Sequence, residues 1–357
     1  VKDPDAKVET VKHGITEEIE LNHALEANNI EVLETDLGEY IVQVDNDKPY
    51  HIITPVMHKS KDDIAKLFHQ KFGTDRDATA EELTAYVRDL LRKKFVEADA
   101  GISGVNFIVA DTGSIALTEN EGNGLMSMGC PRLHIAIAGI EKVIPSYKDF
   151  QHFWPLLATH GTGQNMTVYN SIISGPASDV EPDGPAGMYV ILLDNGRTNL
   201  LARREQRSAL YCIRCGACLN VCPVYKNIGG HAYGTTYSGP IGKIITPHLR
   251  GMEYKHLSFA SSLCGACTEA CPVKIPIHKI LLLNRRDSVR QGKSGAGEKV
   301  VMKGYKMAMK NRWMVNMASP GMKNIAVKMF ARKGWGPRRM LPKFNGISFN
   351  QYWRRKR

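Results

Sequence analysis

Seven of the eight cysteines stand between Cys212 and Cys271, and their spacing constrains the fold more than any other feature of the chain. "CIRCGACLNVCP" places Cys212, Cys215, Cys218 and Cys222 ahead of Pro223. This is the run C-x2-C-x2-C-x3-C-P, in which three thiolates of a tight loop converge on one iron–sulfur cubane. The fourth, at the start of a helix, ligates the neighbouring cluster. "SSLCGACTEACPVKIP" repeats the run with Cys264, Cys267 and Cys271-Pro272, but Ser261 stands where the first cysteine belongs. The crossed pattern assigns Cys212, Cys215, Cys218 and Cys271 to a first 4Fe-4S cluster. It assigns Cys222, Cys264 and Cys267 to a second, which lacks one cysteine. Ser261, a water, a ligand from elsewhere in the fold or from a partner, or a 3Fe-4S cluster would each complete that account. Gly216 and Gly265 follow Cys215 and Cys264, where backbone must pass close to a cluster. Structural zinc is the rival reading, but zinc takes four ligands and has no use for two overlapping runs that each end in Cys-Pro.

Cysteines clustered in this way indicate a metal centre in a reducing compartment rather than a disulfide framework. The expected location is therefore cytoplasmic, with peripheral association at the inner membrane face as the variant. No apolar run reaches the ~20 residues that cross a bilayer. The chain opens on Val1 rather than Met, which predicts that the natural start lies upstream. Its net charge of +11 is unevenly placed. From Gln291 onward there are 17 Lys or Arg against one acidic residue, Glu298, so residues 1–290 carry a net −5.

Three regions follow: an α/β domain over 1–200, a two-cluster domain over 201–290 and a basic Met-rich tail over 291–357. In the first, strands are expected at 7–11, 30–34, 40–44, 51–55, 106–111, 114–118, 134–139, 167–173 and 188–194. Helices are expected from Thr16 to Asn28, near 60–72, and at 79–97 behind a Thr79/Glu82 capping box. Strands alternating with helices indicate an α/β layered fold. "HGTGQN" (160–165) lacks the phosphate-loop pattern and reads as a loop.

The stretches "GITEEIELNHALE", "DLGEYIVQVDNDKPYHIITP", "GVNFIVADTGSIALTENEGN", "LLDNGRTNLL", "CIRCGACLNVCPVY", "GGHAYGTTYSGPIG" and "SSLCGACTEACPVKIP" resemble the lactate utilization protein B family. That family is the iron–sulfur subunit of a three-protein bacterial L-lactate oxidation system. The resemblance covers about residues 8–290 and includes the serine at position 261. It implies a LUD domain, similar in fold to the NagB/RpiA/CoA-transferase group and incomplete at its N-terminus, fused to a helical dicluster ferredoxin-type domain. It also implies two partners, a cysteine-rich CCG-domain subunit and a second LUD-domain protein.

Weaker candidates surround this signal. Asn106, Asp111, Thr112, Gly113 and Ser114, with Glu119, Asn120 and Glu121 after them, are the candidate small-molecule pocket. A carboxylate would sit there on turn N–H groups, whereas the competing reading is a hairpin whose residues serve turn geometry. Between the cysteine runs, His231, Tyr233 or Tyr237 would hydrogen-bond cluster sulfurs, or pack as an ordinary connector. His231 and the distant Cys130 are less favoured iron ligands. In the tail, Met302, Tyr305, Met309, Trp313 and Met317 fall near helical spacing among lysines. Such a face suits a partner groove first, and an anionic membrane or quinone-linked acceptor second. No nucleic-acid recognition motif accompanies the charge.

The expected function is electron relay within a lactate-oxidising complex. Two other classes remain: a self-contained hydroxy-acid enzyme using an open iron as Lewis acid, and an iron–sulfur sensor. No flavin or nicotinamide fingerprint and no convincing acid–base pair is visible, and the catalytic residues stay unassigned.

Overall fold

The computed structural model describes residues 7–11, 14–336, 339–347 and 349–356. They divide into two compact units, Val1–Gln291 and Gly292–Arg357. The strands are β1 (Lys7–Val11), β2 (Glu31–Glu34), β3 (Ala100–Gly104), β4 (Phe107–Val109), β5 (Ile115–Glu119), β6 (Leu133–Gly139), β7 (Val143–Ile144), β8 (Tyr169–Ile173) and β9 (Gly187–Leu193). Five of them form a wholly parallel sheet in the order β2-β1-β3-β6-β9. The other four form a mixed sheet, β7-β4-β5-β8. Parallel strands need helical crossovers to cover their faces. Val8, Ile15, Ile30, Val32, Ala100, Ile102 and Ile137 make the apolar layer against the first sheet.

Helices Lys61–Phe72 and Ala80–Glu97 bury Phe68, Leu83, Val87, Leu91 and Phe95 in a core of their own. Both begin as capping boxes, Ser60 with Asp63 and the expected Thr79 with Glu82. The expected helix from Thr16 to Asn28 is two short helices, Gly14–Glu18 and Leu21–Glu26, because Glu20 adopts a left-handed conformation (φ 54°).

Two expected strands are absent. Residues 40–44 belong to the helix Leu37–Val44, whose Asp36 cap accepts the N–H groups of Gly38 and Glu39. Leu37, Tyr40, Ile41 and Val44 share one apolar face at helical spacing and pack in the Phe68 core. Burial of that face outweighs the β propensity of Ile41, Val42 and Val44. Residues 51–55 form a turn in which His51 Nδ1 accepts the N–H groups of Ile53 and Thr54.

From Arg197 the chain becomes helical. Leu219, Ile241, Ile244, Ile245, Ile277 and Ile280 are almost fully buried with Cys218, Cys222 and Cys271 in one core. Ile213 and Cys215 instead pack with Phe107, Val109, Ile144, Phe150 and Leu157 of the mixed-sheet layer. An α/β body is therefore followed by a helical cysteine-rich region seated directly on it.

The Gly292–Arg357 unit holds helices Ala296–Lys310, Arg312–Met317, Pro320–Ala326, Arg332–Trp335 and Phe349–Lys356. The expected five-residue stripe is broken at Asn311, whose extended backbone (φ −117°, ψ 105°) separates Met302, Tyr305 and Met309 from Trp313 and Met317. Among the described residues, no helix is long and apolar enough to cross a membrane.

Candidate functional site

The seven clustered cysteines line two separate cavities. The first measures about 340 Å³ out to open solvent and is walled by Cys212, Cys215, Cys218 and Cys271 with Ile52, Ile213, Ile241 and Ile275. The second, about 350 Å³, is walled by Cys222, Cys264 and Cys267 with Ser261, Lys243 and His278. Each C-terminal cysteine thus faces the cavity of the other run, as the crossed spacing expects. Cys215, Cys218, Cys222 and Cys271 are buried, Cys212 and Cys267 half-buried, and Cys264 exposed.

The two loops share a backbone form. Arg214 (φ 63°) corresponds to Leu263 (φ 56°), and Gly216 (φ 75°) to Gly265 (φ 87°). The left-handed turn after Cys215 and after Cys264 opens the short helices Ala217–Asn220 and Ala266–Glu269 and suits glycine. Backbone N–H groups already point at sulfur: Arg214 N at Cys212 Sγ, Tyr225 N at Cys222 Sγ and Ile275 N at Cys271 Sγ, each 3.4 Å. Hydrogen bonds of this kind stabilise thiolate and tune a cluster's potential. Burial pushes the Cys215 thiol up to about 11 and that of Cys218 well above its usual range. The exposed Cys264 thiol is lowered, chiefly by the Ala266 N–H. Metal loading of the first cavity must therefore displace protons from buried thiols. The residues fit iron–sulfur chemistry: soft donors converge, and sulfur-directed N–H groups surround them.

A larger cleft adjoins the first cavity. It measures about 1690 Å³ out to open solvent and includes Ile52 and Ile213, which also wall the first cavity. No residue of the second cavity lines it. Glu17, Asp36, Glu39, Glu119 and Glu121 face it, and among the described residues Arg214 is the one Lys or Arg in its lining. Arg214 is held on Glu141 at 3.3 Å and lies over the Tyr237 ring at 4.4 Å. Glu141 and Glu18 both bind Arg197, at 2.6 and 2.8 Å, in a buried network that ties the α/β body to the cysteine loop. Desolvation and the neighbouring Asp36 push Glu121 up to about 7.

Residues 6–193 match the model of the LUD domain and residues 208–275 that of the 4Fe-4S dicluster domain. The chain belongs to the LUD-domain family. Lactate utilization protein B of Bacillus cereus (strain B4264) is 48% identical over 315 residues, and that of Bacillus subtilis (strain 168) 45% over 316. The alignments take in 88% of this chain and 66% of each relative, so the chain spans just under two thirds of their length. A DUF162-family structure from Deinococcus radiodurans matches at 13% identity and a TM-score of 0.24, over 53% of this chain and 87% of its own, too distant to bear on the fold. The dicluster match and the cysteine-lined cavities make this an iron–sulfur protein.

The LUD domain divides the candidate pocket. Asn106, Glu119, Asn120 and Glu121 line the cleft. Asp111, Thr112, Gly113 and Ser114 do not; they form the β4–β5 turn. There Asp111 N donates to Pro145 O, Gly113 N to Val109 O and Ser114 N to Thr112 Oγ1. Those three N–H groups are committed within the protein. Glu119 accepts Gly124 N and Leu125 N, and Glu121 accepts Leu37 N, each at a helix start.

His231 points away from the cysteines, its Nε2 donating to Lys48 O at 2.7 Å. Tyr237 donates to Glu18 at 2.6 Å. Tyr233 stays in the cysteine core, its ring 5.3 Å from Lys243 Nζ. Cys130 is exposed at the end of helix Asn123–Gly129 and lines neither cavity. Residue types alone did not single out Ile52, His51, Ile213 or Lys243. His51 is buried in the LUD domain's 51–55 turn, and a Cβ on Gly216 would meet its ring at 3.1 Å.

Proposed function

We propose that this chain is the electron-transfer subunit of an L-lactate-oxidising complex. Cys212, Cys215, Cys218 and Cys271 hold one 4Fe-4S cluster, and Cys222, Cys264 and Cys267 hold most of a second. The observation that carries the reading is the pair of cavities walled by crossed cysteines, one internal and one reaching the surface at Cys264. Clusters held there supply one-electron redox chemistry. The protein's part is to bury the first site behind Ile52 and Ile213, beside the cleft, and to leave the second near solvent for a redox partner. Lactate as the ultimate electron source rests on the printed names of the relatives. The partners would be a cysteine-rich CCG-domain subunit and a second LUD-domain protein.

The carboxylates of the cleft oppose an anionic substrate over most of its lining, so lactate oxidation is assigned to the complex rather than to this chain alone. A Lewis-acid hydro-lyase would need substrate at the incomplete cysteine set. The cleft instead adjoins the complete one, which weighs against that alternative. The test is growth of the host on L-lactate with the gene deleted, complemented by the wild type or by Cys215→Ala. Growth restored by the wild type alone is the expected result. Undiminished growth of the deletion strain, or full rescue by Cys215→Ala, would remove the assignment. A hydroxy acid turned over by the purified chain without an electron acceptor would favour the hydro-lyase.

A further inference from the structure

We propose that Ser261 Oγ is the fourth ligand of the second cluster. The inference rests on the two-cluster reading above and supplies the donor that the cysteine count leaves out.

Ser261 stands in the second loop where Cys212 stands in the first, and the backbone treats the two side chains alike. Cys212 Sγ accepts the N–H of Arg214 at 3.4 Å; Ser261 Oγ accepts the N–H of Leu263 at 3.1 Å. The donors lie two residues on in both cases, in matched left-handed conformations of 63° and 56°. Each carbonyl is held by a cation from outside its loop, Cys212 O by Lys142 Nζ at 3.4 Å and Ser261 O by Arg285 Nη2 at 3.2 Å. Arg285 Nε also binds Ser258 O at 2.9 Å, and Lys243 Nζ binds Ala260 O at 2.6 Å. The segment before the serine is therefore clamped from two sides. An oxygen displayed on a fixed backbone beside three converging thiols is a preorganised ligand.

His278 is the rival donor of the cavity: Thr268 Oγ1 holds its Nδ1 at 2.8 Å and leaves Nε2 as the nitrogen that would compete, in which case Ser261→Ala would match the wild type. Lys243 is committed to Ala260 O and approaches Cys222 Sγ at 3.9 Å. Ser262 is exposed and Ser261 only half-exposed. Ligation forms an iron–oxygen bond and breaks the serine O–H bond, whose proton leaves to solvent; no electron is transferred. The buried ammonium of Lys243 offsets the anionic charge gathered at this cavity.

The test uses the full chain purified without air, as wild type, Ser261→Ala and Ser261→Cys, with iron and sulfide counts and EPR spectra of oxidised and reduced samples. The wild type should hold about eight irons, Ser261→Cys about eight, and Ser261→Ala about seven with a three-iron signal when oxidised. Adding 2-mercaptoethanol to the wild type should leave its spectrum unchanged, because no iron is open. That measurement stands even where Ser261→Ala fails to fold. A wild-type spectrum that shifts with the thiol, or a Ser261→Ala protein matching the wild type in iron and spectrum, would overturn the ligand assignment while leaving two clusters in place. About four irons or fewer in both the wild type and Ser261→Cys would instead mean that the two-cluster reading itself has failed.

Discussion

The two cysteine cavities are copies of one loop with opposite surroundings. The first is walled by Ile52, Ile213, Ile241 and Ile275, and three of its four cysteines are buried. The second opens at the exposed Cys264 and has a serine where its twin has a cysteine. The same backbone is thus used once as part of a packed core and once as a surface fitting. Burial disfavours the thiolate at Cys215, Cys218 and Cys271 of the first site and at Cys267 of the second. The exposed Cys264 thiol is instead lowered, which suits exchange with a partner at that edge.

Substitution of one cysteine in each site should break the comparison most sharply. Cys215→Ala removes a buried ligand from the core shared with Phe107 and Phe150. It should lose the first centre entirely, about four irons, and lower expression of folded protein. Cys264→Ala should cost only the second centre. Equal damage from both, read by iron count and circular dichroism, would contradict the asymmetry.

Ion pairs give a second contrast. Arg197 is fully buried between Glu18 and Glu141, and Arg197→Met should cost about 3 kcal/mol because it removes the cation the two buried carboxylates share, leaving Glu18 on Tyr237 and Asn195 and Glu141 on Arg214. Arg286, partly exposed between Glu205 at 2.7 Å and Asp287 at 2.9 Å, should lose far less stability than that when replaced by Met, because solvent screens the pair. Denaturant titration of the two variants ranks them.

Accessibility predicts an order of loss. Under an anaerobic iron chelator, the signal of the second centre should disappear first and that of the first persist. Simultaneous loss would mean that the hydrophobic wall of the first cavity does not hold in solution.

A last, small effect concerns the parallel sheet. Burial holds His134 down at about 4, with Nε2 2.8 Å from Ser103 Oγ. The unfolded chain binds a proton there as pH falls through the usual 6.5, whereas the folded chain does not until about pH 4. The folded state is therefore penalised progressively between those values, by roughly 1 kcal/mol at pH 5.5 relative to pH 7.5. His134→Gln should flatten that part of the stability profile.

The cysteine spacing made the crossed cavities legible because each loop is local: in the first, the seven residues Cys212–Cys218 decide where three thiols go. The LUD strands with strong alternation, such as β5 and β6, were legible for the same reason. Tyr40–Val44 was not, since its β-branched residues read as a strand until Asp36 caps it and Phe68 covers its face. β3 was missed because Ala100–Gly104 has little strand propensity and is fixed by β1 and β6 on either side. The cleft was half legible: Glu119 and Glu121 carry polar signals, whereas Ile52 and Ile213 become a wall only when two distant segments meet. The Asp111–Ser114 turn reads as an anion site because sequence shows its N–H groups but not the acceptors that three of them use.

The central claim, two adjacent clusters in unlike surroundings, is tested most directly by an EPR-monitored reductive titration of the anaerobically purified chain. Two reduced four-iron signals, broadened by their mutual interaction and developing at separate potentials, are the predicted result. A single isolated centre, or stoichiometric zinc without sulfide in protein never exposed to air, would contradict it.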